Sequence, residues 1–372
     1  MIKKKIAFIV TSSISVNAFL VNHIKILNKD FHVDIITNEI EKINLTSEYK
    51  KIELRFYRKI NIIGDIVSLF KLIKLIKKNK YDIIISITPK SGLLTAISGK
   101  LLNVKIRIHY FTGQIWANKK NLTKFFFKNI DKFISFLSTN ILIDSFSQKN
   151  YLIENSVIDV NKSKVLGFGS ITGVDTNKFN INSKYFKTIR QKYKINENEF
   201  VISYIGRINK DKGVLKLIKI FNELLVDYND ITLLLIGNIE NDIKYELIKI
   251  INNKKIVLLD HTNFPEKYMN ASNVVCLPSF REGFGNVVIE AASCGIPSII
   301  SDIYGLKDSV IDNETGFVFQ LNNNNSLKSK ILYCYKNKTK ISNLKHNCRN
   351  FVLNKFNHNY VSNNFVNYIR SL

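Results

Sequence analysis

The sequence predicts an α/β protein built from two Rossmann-like, doubly wound domains. Short β-branched runs alternate with longer segments of helical spacing almost from end to end. The runs are continuously apolar, as expected of strands in parallel sheets covered on both faces. The alternation also starts afresh near residue 200, and 372 residues are enough for two proper cores.

Taken in order, the strands of the first half are 5–10, 33–37, 83–87 and 105–109, with helices 16–28 and 66–77 between them. The opening MIKKKIAFIVTSSIS mimics a signal peptide, but its apolar core 6–10 is too short for a secretory segment. A first β-strand is the better reading. The joint between domains falls within 167–199, glycine-bearing at first and polar later. Beyond it come strand 200–205, helix 214–225 and strands 231–236, 256–259, 274–277 and 298–300. Residues 322–325 read as a polar loop and the chain after 327 as helices. Glycine marks tight turns and close backbone approach to ligands. Eleven of the fifteen glycines lie from Gly167 onward, so the second half is the expected nucleotide binder.

No run approaches the ~20 apolar residues of a membrane-spanning helix. Lys and Arg number 55 against 30 Asp and Glu, a net charge of +25. That excess predicts attraction to nucleic acid, a lipid surface or phosphorylated ligands. Over-use of Lys, Asn and Ile, as in an AT-rich genome, accounts for it equally well. No zinc-finger, RRM or KH signature accompanies the charge, so nucleic acid is not an expected partner. Cys276, Cys294, Cys334 and Cys348 match no zinc pattern, and Cys276 reads as a buried small hydrophobe.

The informative stretch is SFREGFGNVVIEAASCGIPSIISDIYG, residues 279–305. A loop containing Glu282, Gly283 and Gly285 runs from strand 274–277 into a helix that carries Glu290. Free N–H groups and the positive helix end make such a junction an anion site. The two carboxylates would stand roughly 8 Å apart along the axis, about the separation of the two sugars in a nucleoside diphosphate-sugar. A capped helix with two surface glutamates is the plainer account of this motif alone. After strand 200–205 comes GRINKDKG, residues 206–213, whose Arg207 and Lys212 suit a diphosphate. Both loops fall beyond strand carboxyl ends, where open α/β sheets bind ligands.

Together, GRINKDKG, REGFGNVVIEAASCGIP (281–297), Gly316 in NETGFVF and Gly173-Val174-Asp175…Phe179 resemble the retaining family-4 glycosyltransferases of the GT-B fold, bacterial surface-polysaccharide members in particular. The resemblance implies two Rossmann-like domains with a cleft between them. Residues 1–180 would bind the acceptor and 181–350 the nucleotide-sugar, with a C-terminal helix over 351–372 packing back on the first domain. It implies that Arg207 and Lys212 bind the leaving diphosphate and that Glu282 contacts the donor sugar. Gly283, Phe284, Gly285 and Asn286 would meet sugar and phosphate, and Glu290 would hold the ribose. The first-strand loop Thr11-Ser12-Ser13 would face the donor phosphates, although it lacks the double glycine of many members. His109, in RIHYFTGQIW, would lie near the reacting sugar; a half-buried strand-end histidine is the structural alternative. His23 reads as structural.

The implied reaction is retaining transfer of a hexose or N-acetylhexosamine, from UDP by preference, to a lipid-linked glycan precursor of O-antigen or capsule. No cofactor and no metal are expected. A sugar-nucleotide epimerase of the same fold is the alternative. Loop 111–116 would stack on an acceptor sugar or simply pack. Segments 66–80 and 119–140 mix lysines (Lys119, Lys120, Lys124, Lys128) with large apolar residues (Phe125, Phe126, Phe127, Phe136). They read as interfacial helices or as core-packing helices with lysine-rich outer faces. The first reading places the protein in the cytoplasm, peripheral on the inner, anionic face of the membrane.

Overall fold

The computed structural model describes residues 3–57, 60–251 and 253–372. Two all-parallel sheets organise it, one in each of two units: Met1–Gly173 with His358–Leu372, and Val174–Asn357.

The first sheet comprises β1 (Lys5–Ile9), β2 (His32–Thr37), β3 (Lys50–Glu53), β4 (Ile83–Ser86), β5 (Ile106–Phe111), β6 (Asn140–Ile143) and β7 (Ser163–Val165), ordered β3-β2-β1-β4-β5-β6-β7. Side-chain alternation along β1 explains its two covers. Ile6 and Phe8 enter one core with Ile24, Phe365 and Ile369. Ala7 and Ile9 enter another with Leu72 and Ile76. The first cover holds helix Val21–Leu27 against helix His358–Arg370; the second holds helices Ile62–Asn79 and Pro89–Leu101. Helix Asn121–Leu137 packs beside Pro89–Leu101. The expected helix 16–28 is two, Ser13–Phe19 and Val21–Leu27, meeting at Leu20. His23 is structural, as expected. It is buried, stacks on Phe365 at 4.6 Å and donates from Nε2 to the Ile171 carbonyl at 2.5 Å. Burial pushes its pKa down to about 4.

The second sheet comprises β8 (Phe200–Ile205), β9 (Ile231–Ile236), β10 (Ile256–Leu259), β11 (Val274–Leu277), β12 (Ser298–Ser301) and β13 (Gly316–Phe319). Its order is β10-β9-β8-β11-β12-β13, so strand order reverses between β8 and β11. β8, β9, β11 and β12 are buried along their whole length, as continuous apolar runs require. All four cysteines are buried and free, Cys276 within β11. Helix Lys345–Lys355 packs on helix Asn286–Ser293 in this unit. The chain leaves the unit at Asn357, which bridges to Val174, and the separate helix His358–Arg370 belongs to the first unit.

Buried Arg190 ties this unit together. Its guanidinium donates to the carbonyls of Ala271, Asn196, Glu197 and Glu199 and to Asn273 Oδ1, all within 3.0 Å. Burial lowers its pKa to about 10, still charged at neutral pH. Arg190→Leu should destabilise the second unit by about 3 kcal/mol, because buried acceptors lose their donor. Urea unfolding with a midpoint matching wild type would contradict that role.

Candidate active site

The loop after β8 and the loop after β11 meet across the strand-order reversal. Lys212 Nζ donates to Glu282 Oε1 at 2.5 Å, both side chains largely buried. Arg281 Nη2 donates to Asp211 Oδ2 at 3.0 Å, and the Phe280 N–H to the Asp211 carbonyl at 2.8 Å. Gly213, at φ 68°, lies directly under Pro278, whose carbonyl leaves no room for a Cβ. Ser279 Oγ donates to Glu282 Oε1 at 2.9 Å, and Ser301 Oγ to the Ser279 carbonyl at 2.5 Å. Glu282 is therefore fixed by a cation and a hydroxyl.

Helix Asn286–Ser293 starts from this loop. Gly285 caps it at φ 76°, where a Cβ would strike Leu306. The Val288 N–H closes the first turn onto the Gly285 carbonyl at 2.8 Å. Phe284 sends its ring into the core, 5.2 Å from Phe356, so only its backbone remains on the loop side. Gly283 is buried beside it.

A pocket of about 280 Å³ opens at the carboxyl ends of β8, β9 and β10. Arg207 and Glu290 both line it, with Gly206, Asn238, His261 and Val287. It therefore brings together the arginine of one motif and the second glutamate of the other. Lys212 and Glu282 pair beside it, outside its lining. Burial raises the Glu290 carboxyl to about 7; the Lys178 ammonium lowers it and the neighbouring Glu266 raises it.

Ser12, Ser13 and His109 belong to the first unit. Ser12 caps helix Ser13–Phe19, and Ser13 is buried. Thr11 beside them hydrogen-bonds Thr88 at the end of β4, and Thr88 Oγ1 contacts Ser91 Oγ at 2.7 Å. His109 does not end its strand. β5 continues to Phe111, because Tyr110 and Phe111 pair with Leu142 and Ile143 of β6, a strand the sequence did not predict. The imidazole is buried, 2.9 Å from Ser86 Oγ, and burial holds its pKa at about 3, so it is neutral. Trp116, in the loop weighed for sugar stacking, is 0% exposed, stacks on Tyr151 and donates to buried Asp131 at 2.7 Å. Packing is its observed use.

The two lysine-rich helices turn large apolar side chains outward. Helix Asn121–Leu137 buries Asp131, Ile134, Ser135 and Leu137 and exposes Leu122, Phe125, Phe126, Phe133 and Phe136, the last at 75%. Phe127 does not join them; it packs against the core around Trp116. Helix Ile62–Asn79 exposes Ile63, Ile66, Val67 and Phe70. Among the described residues, no helix is long and apolar enough to cross a membrane.

The sequence reading missed Glu240, which pairs with Arg207 at 2.7 Å, and the supports Ser279 and Asp211. Ser279 and Asp211 lie inside the two motifs and were legible by position. Glu240 follows β9, and only strand order brings it to Arg207.

Comparison with known proteins places the chain in a family. Residues 186–351 match the family described as Glycosyl transferases group 1, and residues 5–145 match Glycosyl transferase 4-like. The capsular polysaccharide biosynthesis glycosyltransferase CapM of Staphylococcus aureus is 32% identical over 332 residues, 88% of this chain and 87% of that protein. The UDP-Gal:alpha-D-GlcNAc-diphosphoundecaprenol alpha-1,3-galactosyltransferase of Escherichia coli is 29% identical over 345 residues, 89% of this chain and 86% of that protein. The crystal structure of Anabaena HepE in complex with UDP shares the GT-B fold, with TM-score 0.82 at 17% identity, covering 99% of this chain and 100% of that one. The chain belongs to the group 1 glycosyltransferases.

Proposed function

We propose that this glycosyltransferase moves a hexose or N-acetylhexosamine, with retention, from a UDP-sugar to a lipid-linked glycan precursor of surface polysaccharide. The observation that carries the reading is the pocket uniting Arg207 and Glu290 beside the Lys212–Glu282 pair. In this reading Glu290 accepts from the ribose hydroxyls, and Arg207 and Lys212 stabilise the leaving diphosphate. Glu282 orients the donor sugar. The leaving phosphate helps deprotonate the acceptor, so no dedicated protein base is needed. His109, neutral and buried, serves as a hydrogen-bonding rather than proton-carrying group. The names of the relatives, one for capsular polysaccharide biosynthesis and one for UDP-Gal with a diphosphoundecaprenol acceptor, support the donor and acceptor classes.

The outward phenylalanines of helix Asn121–Leu137, set among Lys119, Lys120 and Lys124, support a peripheral site on an anionic, cytoplasmic membrane face. The decisive experiment is a panel of radiolabelled nucleotide sugars with lipid-diphosphate acceptors, scored for labelled glycolipid. Conversion of the donor sugar without any acceptor would instead indicate an epimerase.

Four outcomes are expected. Glu282→Gln should lower turnover at least ~100-fold, the scale of one placed electrostatic contact, whereas Glu290→Gln should chiefly weaken nucleotide binding; near-normal kinetics in both would remove the site assignment. Activity should survive EDTA, since Arg207 and Lys212 supply the positive charge; complete loss restored by Mn²⁺ or Mg²⁺ would contradict this. Uridine affinity should rise as pH climbs through about 7, because ribose hydroxyls donate to the ionised form of Glu290. That rise should vanish in Glu290→Gln, a control that separates it from His261, Lys178 and Glu266; an unchanged slope there would assign it elsewhere. Finally, Lys119, Lys120 and Lys124 changed together to Gln should weaken binding to anionic liposomes, each lysine adding up to about 1 kcal/mol near such a surface. Equal wild-type partitioning onto neutral and anionic vesicles would rule out the electrostatic part.

A further inference from the structure

Arg207 is held before any ligand arrives. Its Nη1 donates to Glu240 Oε1 at 2.7 Å, in a pair that is half-exposed. Both partners stand on fixed backbone, because the pairing of β8 and β9 continues past the strand ends. The Ile208 N–H donates to the Asn238 carbonyl at 2.9 Å, and the Glu240 N–H to the Ile208 carbonyl at 3.0 Å. Ile208 is buried in the core of the second unit, which anchors that extension. Tyr204 Oη donates to the Arg207 carbonyl at 2.6 Å, fixing the other end of the turn.

A guanidinium carries five N–H donors in a rigid fork. The bond to Glu240 engages Nη1 and leaves Nε and Nη2 for a ligand in the pocket that Arg207 lines. An arginine that binds phosphate from free solution must first lose rotamer freedom. Here part of that ordering is already done. A carboxylate so placed has two possible effects: it orients the fork, or it competes with the phosphate for the same charge. The backbone lock favours the first. Glu240 is held at one side of Arg207 by strand pairing, and the pocket lies at the carboxyl ends of the same strands.

Resting on the reading that this pocket takes a nucleoside diphosphate, we infer that Glu240 is a positioning residue that orients the Arg207 fork towards the diphosphate. It touches no substrate atom and acts through Arg207.

The test is calorimetric binding of UDP, GDP and their nucleosides to the full chain and to Glu240→Ala, Glu240→Gln, Arg207→Ala and the Arg207→Ala/Glu240→Ala double variant. Glu240→Ala should weaken the preferred diphosphate about fivefold, the upper scale of a half-exposed ion pair, and leave the nucleoside unchanged. Glu240→Gln keeps the Oε1 acceptor and should retain most of the affinity. The double variant should bind no more weakly than Arg207→Ala, because both changes act on one contact. Three outcomes would overturn the inference: nucleoside binding weakened equally, which marks a structural loss; additive losses in the double variant; or tighter diphosphate binding in Glu240→Ala, which marks a competitor. Wild-type protein that binds neither diphosphate better than its nucleoside would overturn the pocket reading itself, and this inference with it. Failure of Glu240 alone leaves the wild-type preference for diphosphate intact.

Discussion

The close approach of two loops across the β8/β11 reversal is the constraint on which the candidate site depends. Parallel strands deliver every β-to-α connection to one edge of the sheet. Where strand order reverses, the connections leave in opposite directions and a crevice opens between them. Here that crevice is pinned rather than loose. Asp211 receives both Arg281 and the Phe280 N–H, and Gly213 lies against the Pro278 carbonyl. Lys212 and Glu282 then meet with both side chains largely buried, where pairing matters far more than on an open surface. Remove the backbone lock and the pair has no reason to form, since the residues are seventy positions apart.

The two units present different chemistry at the carboxyl edges of their sheets. The second presents charge: Arg207, Lys212, Glu240 and Glu282 from the segments that follow strands, and Glu290 from the second turn of the helix after β11. The first carries the hydroxyls of Thr11, Ser12 and Thr88, with Ser91 buried behind Thr88, and a neutral buried histidine. A charged edge suits the phosphates of a donor; a hydroxyl edge suits an uncharged, polyhydroxylated partner.

Helix Asn121–Leu137 departs from the usual logic of a helix on a sheet on its outer face. Such helices turn an apolar stripe inward and charge outward. This one buries Asp131 and Ser135 beside Ile134 and Leu137, with Asp131 accepting from Trp116, and turns Phe125, Phe126, Phe133 and Phe136 to solvent. Large apolar side chains gathered on one exposed helix face are the kind of surface that marks an interaction site.

The sequence by itself determined the fold class, most strands of both sheets and the two motifs, because continuous apolar runs and glycine-bearing loops at their ends are local signals. It also determined that Arg207 and Glu290 belong near a strand edge. It could not separate Phe127, which packs inward, from Phe126, which faces solvent, because adjacent residues of one type on a helix carry no mark of side. Strands β3, β6, β7 and β13 were not legible: they stand at or towards the sheet margins, and pairing with a neighbouring strand makes them strands. The pairing of β5 with β6 carries the strand past His109 and buries it. Glu240 was invisible for the same reason. It becomes the partner of Arg207 only because β9 lies beside β8, and strand order is decided by tertiary packing, which no local window of residues contains.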